Sequence, residues 1–266
     1  MTACVLVAAL ALQLLQLSYK GFALTMSLVF VVAAWEWANM AGLTLSWQRL
    51  AYAGFFSLLL MALFNAGLLQ QTNWLLGVFV ASLFGWLLAL FAVCRYPEGK
   101  IWNRRWLMVL AGCLLLVPAW LGFLFLQPLV INSGLIWLVI AVVAAADIGA
   151  YFSGRRFGRR KLAVHVSPGK TWEGFWGGAV ANVLLATAVA LHLDLPSLQC
   201  IGFIVAMVFV AAASVLGDLF ESMVKRERGI KDSSQLLPGH GGVLDRIDGW
   251  TAAVPMFTLF YLLYGR

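Results

Sequence analysis

SVLGDLFESMVKRERGIKDSSQLLPGHGGVLDRIDGW, residues Ser214 to Trp250, gathers Asp218, Glu221, Lys225, Arg226, Arg228, Lys231, Asp232, His240, Asp245, Arg246 and Asp248 in a chain of which only 11% is charged. Apolar runs of membrane length flank it, at about residues 200 to 220 and 249 to 264. The stretch reads as a polar loop between two membrane helices, and a cluster this dense marks the place for chemistry.

Outside this loop the chain is apolar. Its 266 residues are 63% hydrophobic and include 12 Trp and 18 Phe, whereas a soluble domain is about half apolar. The chain is therefore expected to be an all-α, polytopic integral membrane protein in contact with membrane lipids. The net charge of +7 reports orientation first and an anionic partner second, and nucleic acid is not an expected partner. Cys4, Cys94, Cys113 and Cys200 form no CxxC pair and read as packing residues in or beside apolar runs.

About 20 apolar residues cross a hydrocarbon core as a helix, and nine candidate spans follow: about residues 2–18, 22–41, 50–70, 74–94, 106–126, 129–149, 174–193, 200–220 and 249–264. The first is read as a membrane helix rather than a secretory leader, because no basic residue precedes Lys20. With nine spans, one side receives Arg49, four basic residues at 95–105, six at 150–173 and five at 221–248. The other side receives Lys20 and Arg266. By the positive-inside rule the charged loops are cytoplasmic. The expectation is a single membrane domain in the bacterial inner membrane, its site facing the cytoplasm. Residues 1–126 are the scaffold and the candidate contact for a homodimer, and residues 127–266 carry the site.

Asp218, Glu221, Ser222 and Lys225 are spaced i, i+3, i+4, i+7 and share one face of a helix continuing the eighth span. Ionisable groups there are costly unless paired, hydrated or metal-bound, so the stripe is either a site or a solvated interfacial face. Beyond the turn at Pro238–Gly242, Asp245 and Asp248 share a face if residues 244–250 begin the ninth helix. Oxygen ligands from two helix ends suit Mg²⁺, which takes one or two carboxylates plus substrate phosphates. Asp218, Asp245 and Asp248 are the candidate ligands, the alternative for the last two being a helix cap with an ordinary Asp–Arg pair. His240, between glycines, is a candidate site residue of no fixed role.

In the 147–174 region, Asp147 and Tyr151 share a helical face. Gly169-Lys170-Thr171 has the end of a nucleotide P-loop, but Val164 stands where its first glycine belongs. Arg155, Arg156, Arg159, Arg160 and Lys161 suit anionic headgroups or simply a topogenic loop. Lys170, with Ser167, Thr171 and Glu173 beside it, is more specific. Glu36, flanked by Trp35 and Trp37, is read as an acid that pairs with a basic loop residue or serves the site.

Ser222, Lys225-Arg226, Lys231-Asp232, Pro238, His240-Gly241-Gly242, Asp245-Arg246 and Asp248 together resemble the phosphatidate cytidylyltransferases, or CDP-diacylglycerol synthases. So do Gly217-Asp218 with Glu221-Ser222 and the run from Asp147 to Glu173 with Ser167-Pro168 and Lys170-Thr171. The resemblance is sharp over the C-terminal half and only a hydrophobic pattern before it, and the short uncharged start departs from the family. It implies that CTP and phosphatidate give CDP-diacylglycerol and pyrophosphate with Mg²⁺, and the acid count leaves room for a second cation. On that reading Asp218, Asp245 and Asp248 hold metal and Asp147 adds a further acid. Lys170, Lys225, Arg226, Lys231 and Arg246 neutralise phosphates, while Ser167, Thr171, Ser222, His240 and the backbone at Gly241 and Gly242 donate hydrogen bonds. Two other classes compete. A CTP-dependent kinase of a membrane lipid alcohol releases CDP instead, and a transporter of an anionic solute spreads its polar groups through the bilayer midplane.

Overall fold

The computed structural model describes residues 18–98, 104–129, 134–239 and 241–264. Eight helices follow in order: α1 Tyr19–Met40, α2 Ser46–Asn65, α3 Thr72–Arg95, α4 Arg105–Leu126, α5 Leu135–Phe157, α6 Trp172–His192, α7 Ser197–Glu227 and α8 Leu244–Tyr264. They correspond to the second through ninth expected spans, and the expected first span lies outside the described residues. The protein is an all-α polytopic membrane protein. Seven of the eight helices are long and apolar enough to cross a membrane, and side chains such as Leu58, Leu88, Leu184 and Leu198 are turned outward.

The exception, α8, is the helix the others surround. It packs on α7, α4, α3, α5 and α1, and buries Ile247, Gly249, Ala252, Ala253, Val254, Phe257 and Leu259. A helix walled by protein need not present an apolar surface to lipid, so α8 can carry Asp245, Arg246 and Asp248 in its first turns. Thr251 and Thr258 donate their hydroxyls to the Asp248 and Val254 carbonyls.

Two boundaries differ from the sequence expectation. Helix α5 continues to Phe157, so Asp147 lies inside it rather than at its end. Backbone pairing needs no apolar side chains to continue, and Arg155 and Arg156 favour the negative end of the helix dipole. The 150–173 loop contains a hairpin, β1 Lys161–Ala163 against β2 Ser167–Thr171, with Lys161 opposite Thr171 and Ala163 opposite Ser167. Thr171 then caps α6, accepting from the Gly174 N–H at 3.1 Å.

Helix α7 carries the polar stripe past the expected span and stops at Gly229, whose φ of 69° suits a residue without Cβ. There the Ile230 and Gly229 amides donate back to the Lys225 and Arg226 carbonyls, each at 3.0 Å, in a Schellman closure. The hairpin, the α7–α8 connection and the C-terminal end of α1 therefore gather at one end of the bundle, where Arg228 donates to the Asn39 carbonyl.

Close crossings of small residues set the helix spacing, as expected where lipid tails give no hydrophobic drive for helix association. A Cβ on Gly149 of α5 would lie 2.7 Å from the Gly177 carbonyl oxygen and 2.9 Å from the Gly178 Cα of α6. A Cβ on Gly217 of α7 would collide with the Asp248 carbonyl oxygen of α8, so this glycine lets the two acid-bearing helices meet. Gly217→Ala is expected to force them apart at an overpacking cost of about 1–3 kcal/mol. The variant should melt below the wild type in detergent, and an unchanged melting temperature would refute the crossing.

Candidate active site

The sequence-predicted stripe forms one face of α7, and its polar groups are joined to two other elements, the hairpin and α8. Ser222 Oγ lies 3.2 Å from Asp218 Oδ1, and the other Asp218 oxygen pairs with Lys170 Nζ of the hairpin at 2.7 Å. Lys225 Nζ is shared between Glu221 Oε1 at 3.0 Å and Asp245 Oδ1 at 2.6 Å. The side chains of this trio are 12%, 4% and 7% exposed, so the bridge between α7 and α8 is made away from water. Arg226 Nε donates to the Val166 carbonyl of the hairpin at 3.3 Å.

Asp245 is held from two sides. While Oδ1 takes the Lys225 ammonium, Oδ2 accepts from the Gly242 N–H at 2.7 Å and the Ser233 N–H at 3.0 Å, with Ser233 Oγ 2.9 Å away. The close approach needs glycine at Gly241, whose φ is 81° and whose Cβ would lie 2.7 Å from Asp245 Oδ2. One turn later Asp248 accepts from the Gly249 N–H at 2.7 Å. It stands at the Gly217 crossing, within electrostatic reach of Asp218, Lys225 and Lys170. Asp147 of α5 is likewise within reach of Lys170 and Asp218.

Charge balance is the central feature. Asp147, Asp218, Glu221, Asp245 and Asp248 converge around two ammonium groups, Lys170 and Lys225. The second Glu221 oxygen is buried without a hydrogen-bond partner. Among the described residues, no three His, Cys, Asp or Glu groups are arranged to hold a metal ion by themselves. Asp218 and Asp248, which meet near the α7–α8 crossing, are the carboxylates that could hold a cation together with water and phosphate oxygens.

The remaining predicted residues fall around this centre. Ser167 opens β2, Thr171 is buried as the α6 cap, and Lys231 and Arg246 are exposed beside the site. Arg159 and Arg160 are fixed through their backbone amides, both of which donate to Glu173. His240 lies outside the described residues. Sequence reasoning missed Ser233 and left Glu36 open between a basic loop partner and the site. Glu36 is fully buried and receives Ser233, Ser234 and the Val243 and Leu244 amides. An acid in an apolar helix was the available signal, but its partners are serines and backbone groups rather than a basic residue.

Comparison with known proteins adds three findings. A model of the cytidylyltransferase family matches residues 1–264. The chain is 44% identical over 237 residues to the phosphatidate cytidylyltransferase of Pseudomonas aeruginosa, covering 89% of this chain and 86% of that one. It is 41% identical over 283 residues to the phosphatidate cytidylyltransferase of Haemophilus influenzae, covering 98% and 96%.

The Lys225 bridge has a direct test. Lys225→Met would leave Glu221 and Asp245 buried side by side without a countercharge, and removing one partner of a buried ion pair costs about 3–5 kcal/mol. The expected outcome is a marked fall in melting temperature in detergent, largely relieved by adding Asp245→Asn. A Lys225→Met protein as stable as the wild type would show that the bridge is not held away from water.

Proposed function

The chain belongs to the cytidylyltransferase family, and from that premise we infer that it transfers the cytidylyl group of CTP to phosphatidate in phospholipid biosynthesis, releasing pyrophosphate. The reading is carried by a carboxylate-rich, lysine-bridged site at one end of a membrane bundle, in a chain 41% and 44% identical to phosphatidate cytidylyltransferases. A phosphate oxygen of phosphatidate attacks the α-phosphorus of CTP. The new P–O bond forms as the bond to the bridging oxygen of the β-phosphate breaks, and that oxygen leaves with pyrophosphate.

The nucleophile is already an anion, so the protein's work is to bring two anionic substrates together and balance their charge. Mg²⁺, when bound, supplies countercharge between the phosphates. Asp218 and Asp248, at the crossing of α7 and α8, are the direct candidates to hold it, and Asp245 acts through the Lys225 bridge. Lys170 and Arg226 join the hairpin to this centre, and Lys231 and Arg246 are exposed where phosphates arrive. The crowding of basic loops at the site's end supports a cytoplasmic face, from which CTP is drawn, while phosphatidate arrives from the membrane.

The discriminating experiment is an assay in detergent micelles with CTP, phosphatidate and Mg²⁺. Equal amounts of pyrophosphate and CDP-diacylglycerol are expected. Asp248→Asn should lower the rate by at least about 100-fold, the scale of losing one electrostatic contact to the reacting phosphates. CDP release with phosphorylation of a lipid alcohol would replace this reading with a kinase, and folded protein without turnover would point to transport.

A further inference from the structure

The N-terminal half reaches the site through Glu36 of α1. Its carboxylate is 0% exposed, and its four partners come from the connection between α7 and α8 and from the first residue of α8. Oε1 accepts from Ser234 Oγ at 2.5 Å and the Val243 N–H at 3.0 Å. Oε2 accepts from the Leu244 N–H at 2.6 Å, with Ser233 Oγ 3.2 Å away. Because Ser233 Oγ is also 2.9 Å from Asp245 Oδ2, one hydroxyl links Glu36 to an acid of the site.

The local sequence explains why this acid is needed. Leu244 begins α8, and Val243 before it stands where Ser, Thr, Asp or Asn ordinarily offers an oxygen to amides two or three residues on. Valine has none. Glu36 instead receives, from another helix, the amides of Val243 and Leu244 themselves, placing negative charge at the positive end of the α8 dipole. The contact is close as well as polar, since a Cβ on Gly242 would lie 2.5 Å from Glu36 Oε1. Asp245 and Asp248 project from the turns that begin at these capped amides, so the cap sets where both carboxylates point.

We propose that Glu36 is a positioning residue for cytidylyl transfer, a cap delivered from α1 that fixes the Ser233–Leu244 connection and thereby aims Asp245 and Asp248. This rests on the cytidylyltransferase reading. Glu36 contacts the loop and not the substrates, so its loss should damage kcat through geometry while leaving the grip on the lipid substrate largely intact. Glutamine at this position keeps the volume but turns an amide NH₂ toward donors, and cannot receive all four.

The test measures kcat and KM for both substrates, melting temperature, and hydrogen exchange across residues 241–246 for wild type, Glu36→Gln, Ser234→Ala and the double variant. In Glu36→Gln, kcat is expected to fall at least tenfold with KM for phosphatidate within threefold of wild type, and exchange at Val243 and Leu244 to accelerate. Ser234→Ala keeps the acid and both amides, so it should fold and show a smaller fall in the same direction. The double variant should lose no more than Glu36→Gln alone, because both changes act on one contact. Unchanged kcat in Glu36→Gln, or additive losses with unaltered exchange at Val243 and Leu244, would overturn the proposal. If Glu36→Gln does not fold, an unchanged kcat and exchange in Ser234→Ala would overturn it equally. Wild-type protein that turns over no CTP would instead strike the underlying reading, leaving the exchange data to report the cap alone.

Discussion

The Lys225 ammonium between Glu221 and Asp245 is the contact on which the site depends. At 3.0 and 2.6 Å, with all three side chains largely shielded from water, it joins the end of α7 to the start of α8. In such surroundings a lone charge is expensive and a paired one strongly held. The bridge therefore sets the relative position of the two helices that carry Asp218 and Asp248. Gly217 permits the same approach on the backbone side, so one ion bridge and one missing side chain define the crossing together.

The bundle is organised to allow a polar helix at its centre. Helix α8 is walled by α7, α4, α3, α5 and α1, which frees it from the demand that a lipid-facing helix be apolar. Its leading amides and acids then find partners from three directions: Glu36 from α1, Lys225 from α7, and Ser233 with Gly242 from the connection itself. Five carboxyl groups lie around two lysines, with Arg226, Lys231 and Arg246 further out, and one buried Glu221 oxygen stays unpartnered. A site meant for anionic substrates that sets five acids among its lysines and arginines has a physical rationale if cations arrive with the substrates.

Much of this was legible in the sequence because it is periodic or local. Long apolar runs located the eight described helices, the i, i+3, i+4, i+7 spacing placed Asp218, Glu221, Ser222 and Lys225 on one face, and glycines marked the turn before Asp245. The hairpin at 161–171 was not legible, since Pro168 and Gly169 interrupt any alternation and its strands are short. The end of α5 was misplaced because apolarity stops before helical pairing does. Glu36 was left open between two readings for a deeper reason: its partners lie 197 to 208 residues away, and two are backbone amides that carry no residue signature. The Lys170–Asp218 and Lys225–Asp245 pairs are likewise products of folding, although each of the four residues stood out alone.

We propose that the carboxylates at the α7–α8 crossing make the site a receptor for CTP only together with a divalent cation. Isothermal titration of CTP into detergent-solubilised, chelator-treated protein, with and without Mg²⁺, tests it most directly. Saturable CTP binding is expected with Mg²⁺, and at least tenfold weaker binding without it. Equal affinity in the absence of any divalent cation would contradict it, showing that the lysines and arginines alone outweigh the carboxylates.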